Sequence, residues 1–267
     1  MYPILFKVFG VEIHSYGVML LVAFFVSVWF AKKRAPRFGY TGGEVYDAAF
    51  WALILGIIGA RLFFIIQEWP YYSTHLNELF SWQFAGLTSF GAVVLGTVGF
   101  FIWSRRAHRS FIKILDVMAA PFLVGHAIGR VGCLLNGCCY GGLCTLPWGI
   151  HVAGTPGLFH PAQIYDSLMN LAGLGILLYV EKRGLVYGRS ISLALILHGT
   201  ARFIYEFWRA GTVAQVKNGL ATSTYMGSLP ITDAQLAALV IIFIGVALLV
   251  VLPHRDITKR RVAALEA

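Results

Sequence analysis

This 267-residue sequence predicts an all-α integral membrane protein with about seven transmembrane helices. Three observations predict it. Hydrophobic residues make up 58% of the chain, charged residues only 12%, and the mean hydropathy is +0.73, too apolar for a water-soluble fold. The apolar residues gather into seven runs of roughly 17–25 residues, the length that crosses a bilayer. Lys and Arg cluster in every second connection between those runs, the asymmetry that orients membrane proteins. The formal net charge of +9 therefore marks cytoplasmic anchors rather than a nucleic-acid surface.

The runs follow in order. The first, 15–31, opens on Ser15 and Tyr16 and ends at Lys32, Lys33, Arg34 and Arg37. The second, 46–66, carries Arg61 towards its end, and the third, 84–103, leads into Arg105, Arg106, Arg109 and Lys113. The fourth, 112–129, contains Asp116 and is interrupted by Gly125 and Gly129. The fifth, 162–180, is followed by Lys182, Arg183 and Arg189; the sixth, 190–208, holds Arg202 and Glu206 and ends at Arg209. The seventh, 233–252, leads into Arg255, Lys259, Arg260 and Arg261. Stretches 67–83 and 131–161 contain no Lys or Arg, and 210–232 contains only Lys217. The N-terminus is thus expected outside and the C-terminus in the cytoplasm. Residues 1–267 read as one membrane domain with extracytoplasmic loops near 67–83, 130–161 and 209–232. The first run reads as a retained anchor rather than a cleaved signal. No internal repeat or low-complexity linker stands out.

Charged groups within apolar runs are costly and point to a functional site. Arg61, Arg130, Arg202, Glu206 and Arg209 all fall in the outward halves of their helices by this orientation. Positions 202, 206 and 209 share one helix face through steps of four and three. Arg130 lies where the fourth helix exits, and Tyr16 opens the first helix on the same side. Several guanidinium groups at one depth suit an anionic phosphate, which Arg binds through a planar, bidentate fork. The plainer reading is that some snorkel to the interface or pair with Glu206. Around Arg130, His126–Gly142 holds five glycines, and a glycine-rich turn there is expected to add a backbone anion cradle.

Cys133, Cys138, Cys139 and Cys144 lie on the expected outer side, where disulfides form. A structural disulfide among them is the favoured expectation; three pairings are possible and the sequence does not choose. A metal site with His126 or His151, and buried thiols, stay open. No C-x-x-C spacing supports a thioredoxin-like centre. Of the histidines, His126, His160 and His198 fall nearest the outer site. Asp47, Asp116 and Asp166 read as helix-end or packing groups. Trp69, Trp82, Trp148 and Trp208 read as interfacial belts.

The run GRVGCLLNGCCYG at 129–141 resembles the signature of the prolipoprotein diacylglyceryl transferases. HPAQIYDSL at 160–168 and RFIYEFWR at 202–209 are similar to two further motifs of that family. SYGVML at 15–20, GARL at 59–62, GLTSFGAVVLG at 86–96 and TDAQL at 232–236 fall in the family's order, so the resemblance covers nearly the whole chain. It implies a multi-pass protein of the bacterial cytoplasmic membrane. The implied reaction moves the diacylglyceryl group of phosphatidylglycerol to the lipobox cysteine of a prolipoprotein, and glycerol phosphate leaves. Position by position, the resemblance implies catalytic roles for Arg130, Arg202 and Tyr16, with His160 as the candidate base. It places Arg61, Asn136, Gly141, Gln163, Tyr165, Glu206 and Arg209 around the substrates, with Glu206 orienting Arg202. No metal or organic cofactor is implied, and no nucleic acid.

Three positions depart from the family pattern. Phe90 stands where many members have His, Cys133 replaces the signature's Asn, and Cys138 replaces its acidic residue. Two other classes stay open: a lipid-head-group transferase with another acceptor, and a non-enzymatic phospholipid-binding paralogue or transporter. A transporter would be expected to show repeated broken helices, which the sequence lacks.

Overall fold

The computed structural model describes residues 2–8, 11–78, 88–152, 156–184, 186–210 and 231–252. Trp82, Lys217 and the basic C-terminal residues lie outside them, as do residues 79–83 and 211–230 of the loops expected at 67–83 and 209–232. Seven helices of 18 to 26 residues occur among the described residues, one at each expected span. They are α1 (Ser15–Arg34), α2 (Gly42–Gln67), α4 (Ser89–Arg106), α5 (Phe111–Asn136), α6 (Ala162–Lys182), α7 (Arg189–Ala210) and α8 (Asp233–Val251). A single turn, α3 (Trp69–Tyr72), follows α2. Four helical segments, those of α1, α2, α5 and α8, are long and apolar enough to cross a membrane by length and composition. Among the others, α6 and α7 are diluted by the polar residues they carry inward, described below.

The all-α expectation needs one addition. Strands β1 (Ile4–Val8) and β2 (Val11–His14) form an antiparallel hairpin ahead of α1. β-branched residues on both strands and Phe6 on the first favour it, and Lys7 faces Glu12 across it in a 2.7 Å ion pair. Tyr2 N–H donates to the Leu135 carbonyl, and Ser15 N–H to that of Pro3. The hairpin therefore ties the start of α1 to the last turn of α5.

The chain divides into two compact units: Met1–Ala31 with Asp116–Ala267, and Lys32–Leu115. In the second, α2 and α4 pack with backbones in contact. A Cβ on Gly91 would meet Phe63 Cβ at 2.7 Å as well as the Gly59 carbonyl, and a Cβ on Gly99 would meet Trp51 O at 2.6 Å. This close packing of small residues is how helices associate where lipid removes the hydrophobic drive. Thr41 opens α2 with a capping box to Glu44, and Glu44 pairs with Arg109 at 2.5 Å.

In the first unit, α5 has its own core: Ala119, Ala120 and Leu123 bury against Leu177 of α6 and Ala194 of α7. Ser27 of α1 donates to the Pro121 carbonyl at 2.9 Å. Asp116, read from sequence as a helix-end or packing group, accepts from Gly188 and Ile191 N–H at 2.7 and 3.0 Å. It thereby satisfies donors at the start of α7. α8 opens with a second capping box, Thr232 with Gln235, and packs on α7 where Gly199 meets Ile242.

Candidate active site

The fourth span runs seven residues further than the sequence suggested, to Asn136. This corrects the reading of the glycine-rich segment. Arg130, Gly132 and Cys133 are helical, so their N–H groups serve the helix ladder and no anion cradle of backbone amides forms at Arg130. The glycines are tolerated because α1 packs there: a Cβ on Gly132 would lie 2.8 Å from Met19 Cβ and 3.4 Å from the Tyr16 ring. Tyr16 is set by that contact, beside the helix turn that carries Arg130.

The polar residues of α5, α6 and α7 join into one network. Arg130 Nε lies 2.5 Å from Asp166 Oδ2, and His126 Nε2 lies 3.0 Å from the same oxygen. Arg130 Nε also approaches His126 Nε2 at 3.3 Å. The carboxylate is nearer, so the geometry is satisfied when both nitrogens donate to Asp166. Asn170 Nδ2 donates to Asp166 Oδ1 at 2.7 Å and holds His198 Nδ1 at 2.8 Å through its own oxygen. The His126 and His198 rings meet edge to face, 4.6 Å between centroids.

Arg130 Nη2 also donates to Tyr205 Oη at 3.1 Å, and its guanidinium lies 5.4 Å from that ring's centroid. Arg202 lies over the same ring at 4.6 Å. Arg202 Nη1 pairs with Glu206 Oε2 at 2.5 Å, and Arg209 approaches Glu206 at 3.4 Å. Asp166 and Glu206 are fully buried, and Tyr205 is 1% exposed. Two buried carboxylates thus hold two guanidinium groups onto one buried aromatic ring. Such pairs are strongly destabilised when one partner is removed.

The sequence reading placed Arg130, Arg202, Glu206 and Arg209 together, and the structure brings them together. It missed Tyr205, the bridge between the two arginines, and read Asp166 as a helix-end or packing group. Asp166 had a signal: His126/Arg130, Asp166/Asn170, His198/Arg202 and Arg202/Glu206 are polar pairs four residues apart on apolar helices. Arg61 belongs to the other unit, where its guanidinium lies over the Phe64 and Tyr72 rings at 5.9 and 5.5 Å. Phe90 is in that unit too, edge to face with Phe63.

The loop after α5 is built against the end of α7. Gly137, at φ 75°, ends the helix in a left-handed cap: Cys138 N–H donates to the Cys133 carbonyl and Gly137 N–H to that of Leu134. Gly141 N–H donates to His160 O, and Gly142 N–H to Trp208 O. A Cβ on Gly141 would lie 2.5 Å from Trp208 O and 2.8 Å from His160 Cβ, which requires glycine there. Gln163 Nε2 donates to Cys138 O at 2.6 Å, so Gln163 anchors this loop. Tyr165 Oη accepts from Trp148 Nε1 at 2.8 Å and sits 3.3 Å from His160 Nδ1. Burial pushes His160 below its ordinary value.

All four cysteines are free thiols, so the favoured disulfide is not formed. Cys144 is apart, with its sulfur accepting from Leu146 N–H. The sulfurs of Cys133, Cys138 and Cys139 instead lie within 4.8 Å of one another. The neighbouring Cys133 and Cys138 thiols, with the charges of Arg130 and Arg209, hold the Cys139 thiol well below its usual range. Asn136 is the last residue of α5, two positions before Cys138.

Comparison with known proteins agrees with the motifs. The family model for prolipoprotein diacylglyceryl transferase matches residues 3–251. A phosphatidylglycerol–prolipoprotein diacylglyceryl transferase of Finegoldia magna is 32% identical over 245 residues, 91% of this chain and 92% of that protein. One of Streptococcus equi subsp. equi is 33% identical, covering 87% and 92%. One of Dehalococcoides mccartyi is 34% identical, covering 78% and 82%. With the match running from the N-terminal hairpin to the end of α8, the chain belongs to the prolipoprotein diacylglyceryl transferase family.

Proposed function

We propose that this protein transfers the diacylglyceryl group of phosphatidylglycerol to the lipobox cysteine of prolipoproteins at the outer face of the cytoplasmic membrane. The observation that carries this reading is the pair of guanidinium groups on Tyr205, each tied to a buried carboxylate. Within that network Arg130, Arg202 and Arg209 face Asp166 and Glu206, leaving one positive charge for a phosphodiester monoanion. The thiolate of the acceptor attacks the glycerol carbon, the C–O bond to phosphate breaks, and glycerol phosphate leaves. Arg130 and Arg202 are already oriented to stabilise the charge that develops on it. Tyr16, on the α1 face against Gly132, orients a polar oxygen of donor or acceptor. His160, held below its ordinary value by burial, is the candidate to receive the thiol proton. Asn136, Gly141, Gln163 and Tyr165 shape the acceptor side.

The seven long helices are read as seven spans with the N-terminus outside. Reporter fusions at residue 107 and residue 215 are expected to read inside and outside; the reverse would displace the site to the wrong face. The function itself is tested by complementing a bacterial cell depleted of its own transferase. Rescue of lipoprotein modification by wild-type protein, and not by an equally inserted Arg130→Lys variant, is the expected result. Failure of the inserted wild-type protein to rescue contradicts the prolipoprotein as acceptor.

A further inference from the structure

The left-handed cap that ends α5 does more than stop the helix. It places the residue three before the cap beside the one two after it; here these are Cys133 and Cys138. Cys139 then adopts φ 62°, a conformation uncommon for a residue with a side chain and one that costs on the order of 1–3 kcal/mol. That turn brings a third sulfur to the other two, all within 4.8 Å. Gln163 fixes the Cys138 carbonyl from α6, and its own Oε1 is buried with no hydrogen-bond partner among the described residues. Arg130 and Arg209 bear on Cys139.

From this convergence we propose that Cys133, Cys138 and Cys139 form a three-thiolate site for a thiophilic divalent cation of the Zn2+ type, with the fourth position open to the acceptor's thiol. Three thiolates around a tetrahedral cation, with bonds of about 2.3 Å, stand about 3.8 Å apart. The sulfurs therefore need to close by no more than about 1 Å from the 4.8 Å limit. Soft thiolate ligands select such cations over Mg2+ or Ca2+. The trithiolate complex carries one negative charge and lies in the field of Arg130 and Arg209. Three protein ligands with a fourth position left over is the pattern of catalytic rather than structural sites.

The role of the open position rests on the transferase reading above. A family position that often holds His is Phe90 here, and the signature's acidic residue is Cys138. The cation does the missing work. The acceptor thiol gives its proton to His160 as its sulfur joins the cation. A lone pair on that sulfur forms the bond to the glycerol carbon while the C–O bond to phosphate breaks, and both electrons leave with glycerol phosphate. The cation is neither oxidised nor reduced and keeps its three thiolates. This departs from the expectation that the site needs no metal.

The test uses purified full-length protein, stripped of metal under reducing conditions, with Co2+ as a spectroscopic stand-in for Zn2+. One equivalent per chain should bind and give a thiolate-to-cobalt charge-transfer band. Cys139→Ser should weaken binding on the order of 100-fold or more, while Cys144→Ser leaves it unchanged. In wild-type protein, Zn2+ should shield three thiols from maleimide and leave Cys144 reacting at its metal-free rate; this arm needs no variant to fold. No band, or equal labelling of all four thiols with and without Zn2+, overturns the site. A lipobox peptide added to the cobalt-loaded protein should raise the band by about one third, from three thiolates to four, and its Cys→Ser analogue should not. An unchanged band with both peptides overturns the acceptor's place on the cation. Transfer is assayed separately: wild-type turnover by stripped protein removes the metal from the mechanism but leaves the transferase reading intact. Full metal binding with no transfer, loaded or stripped, does the opposite.

Discussion

The two units of this chain solve the same problem by opposite means. In Lys32–Leu115, α2 and α4 meet by omission, glycine against backbone at Gly59, Gly91 and Gly99. In the other unit, α5, α6 and α7 meet through charged and polar groups, with Asp166 and Glu206 fully buried. In lipid both devices hold helices together, but only the second leaves oriented charge behind. The difference separates residues kept for packing from residues that can do chemistry.

The largest expected effect breaks the second device. Arg130→Lys keeps a positive charge near Asp166 but loses the planar fork, and transfer should fall on the order of 100-fold or more in a purified assay. The protein should remain folded by size-exclusion in detergent. Arg130→Ala is less clean, because an uncompensated Asp166 costs about 3–5 kcal/mol of stability. Near-normal transfer by the Lys variant would mean the arginine is only a strut.

Gly91→Leu breaks the first device. Its side chain would run into Phe63 and the Gly59 carbonyl, costing about 1–3 kcal/mol or more. Folded yield and melting temperature should drop, with turnover per folded molecule nearly unchanged. Gly96→Ala, where a Cβ lies 3.4 Å from Ala52 O, should be far milder. Equal melting temperatures for the two variants would contradict the close-packing account.

Tyr205→Phe tests the bridge. It removes the hydroxyl that accepts from Arg130 and keeps the ring under both arginines. A loss of about 1 kcal/mol, or roughly fivefold in transfer, is expected. Phe90→His should matter least. Phe90 is exposed beside Phe63, so transfer should change by about twofold or less. A large gain in rate would instead show that a base is wanting at that position.

How much of this was legible beforehand depended on the length scale of the signal. The positions of the long helices came from apolar runs. The Arg202–Glu206 pair came from helix periodicity, because both signals are local in sequence. The end of α5 was misplaced because glycine reads as a breaker, while α1 packing at Gly132 makes it a contact residue. The N-terminal hairpin was missed because its two short strands lack the length of a membrane span. Tyr205 and Asp166 needed three helices brought together before their roles appeared. The thiol cluster depended on the φ of Cys139, which no spacing rule supplies.

The central claim is that the Arg130–Tyr205–Arg202 arrangement serves diacylglyceryl transfer. It is tested most directly by incubating purified wild-type protein with phosphatidylglycerol labelled in its diacylglyceryl group and a lipobox peptide, across a range of pH. The account expects label on the peptide cysteine with one glycerol phosphate released per transfer, and none with Arg130→Lys. Phospholipid binding without label transfer at any pH, metal-loaded or stripped, would contradict it.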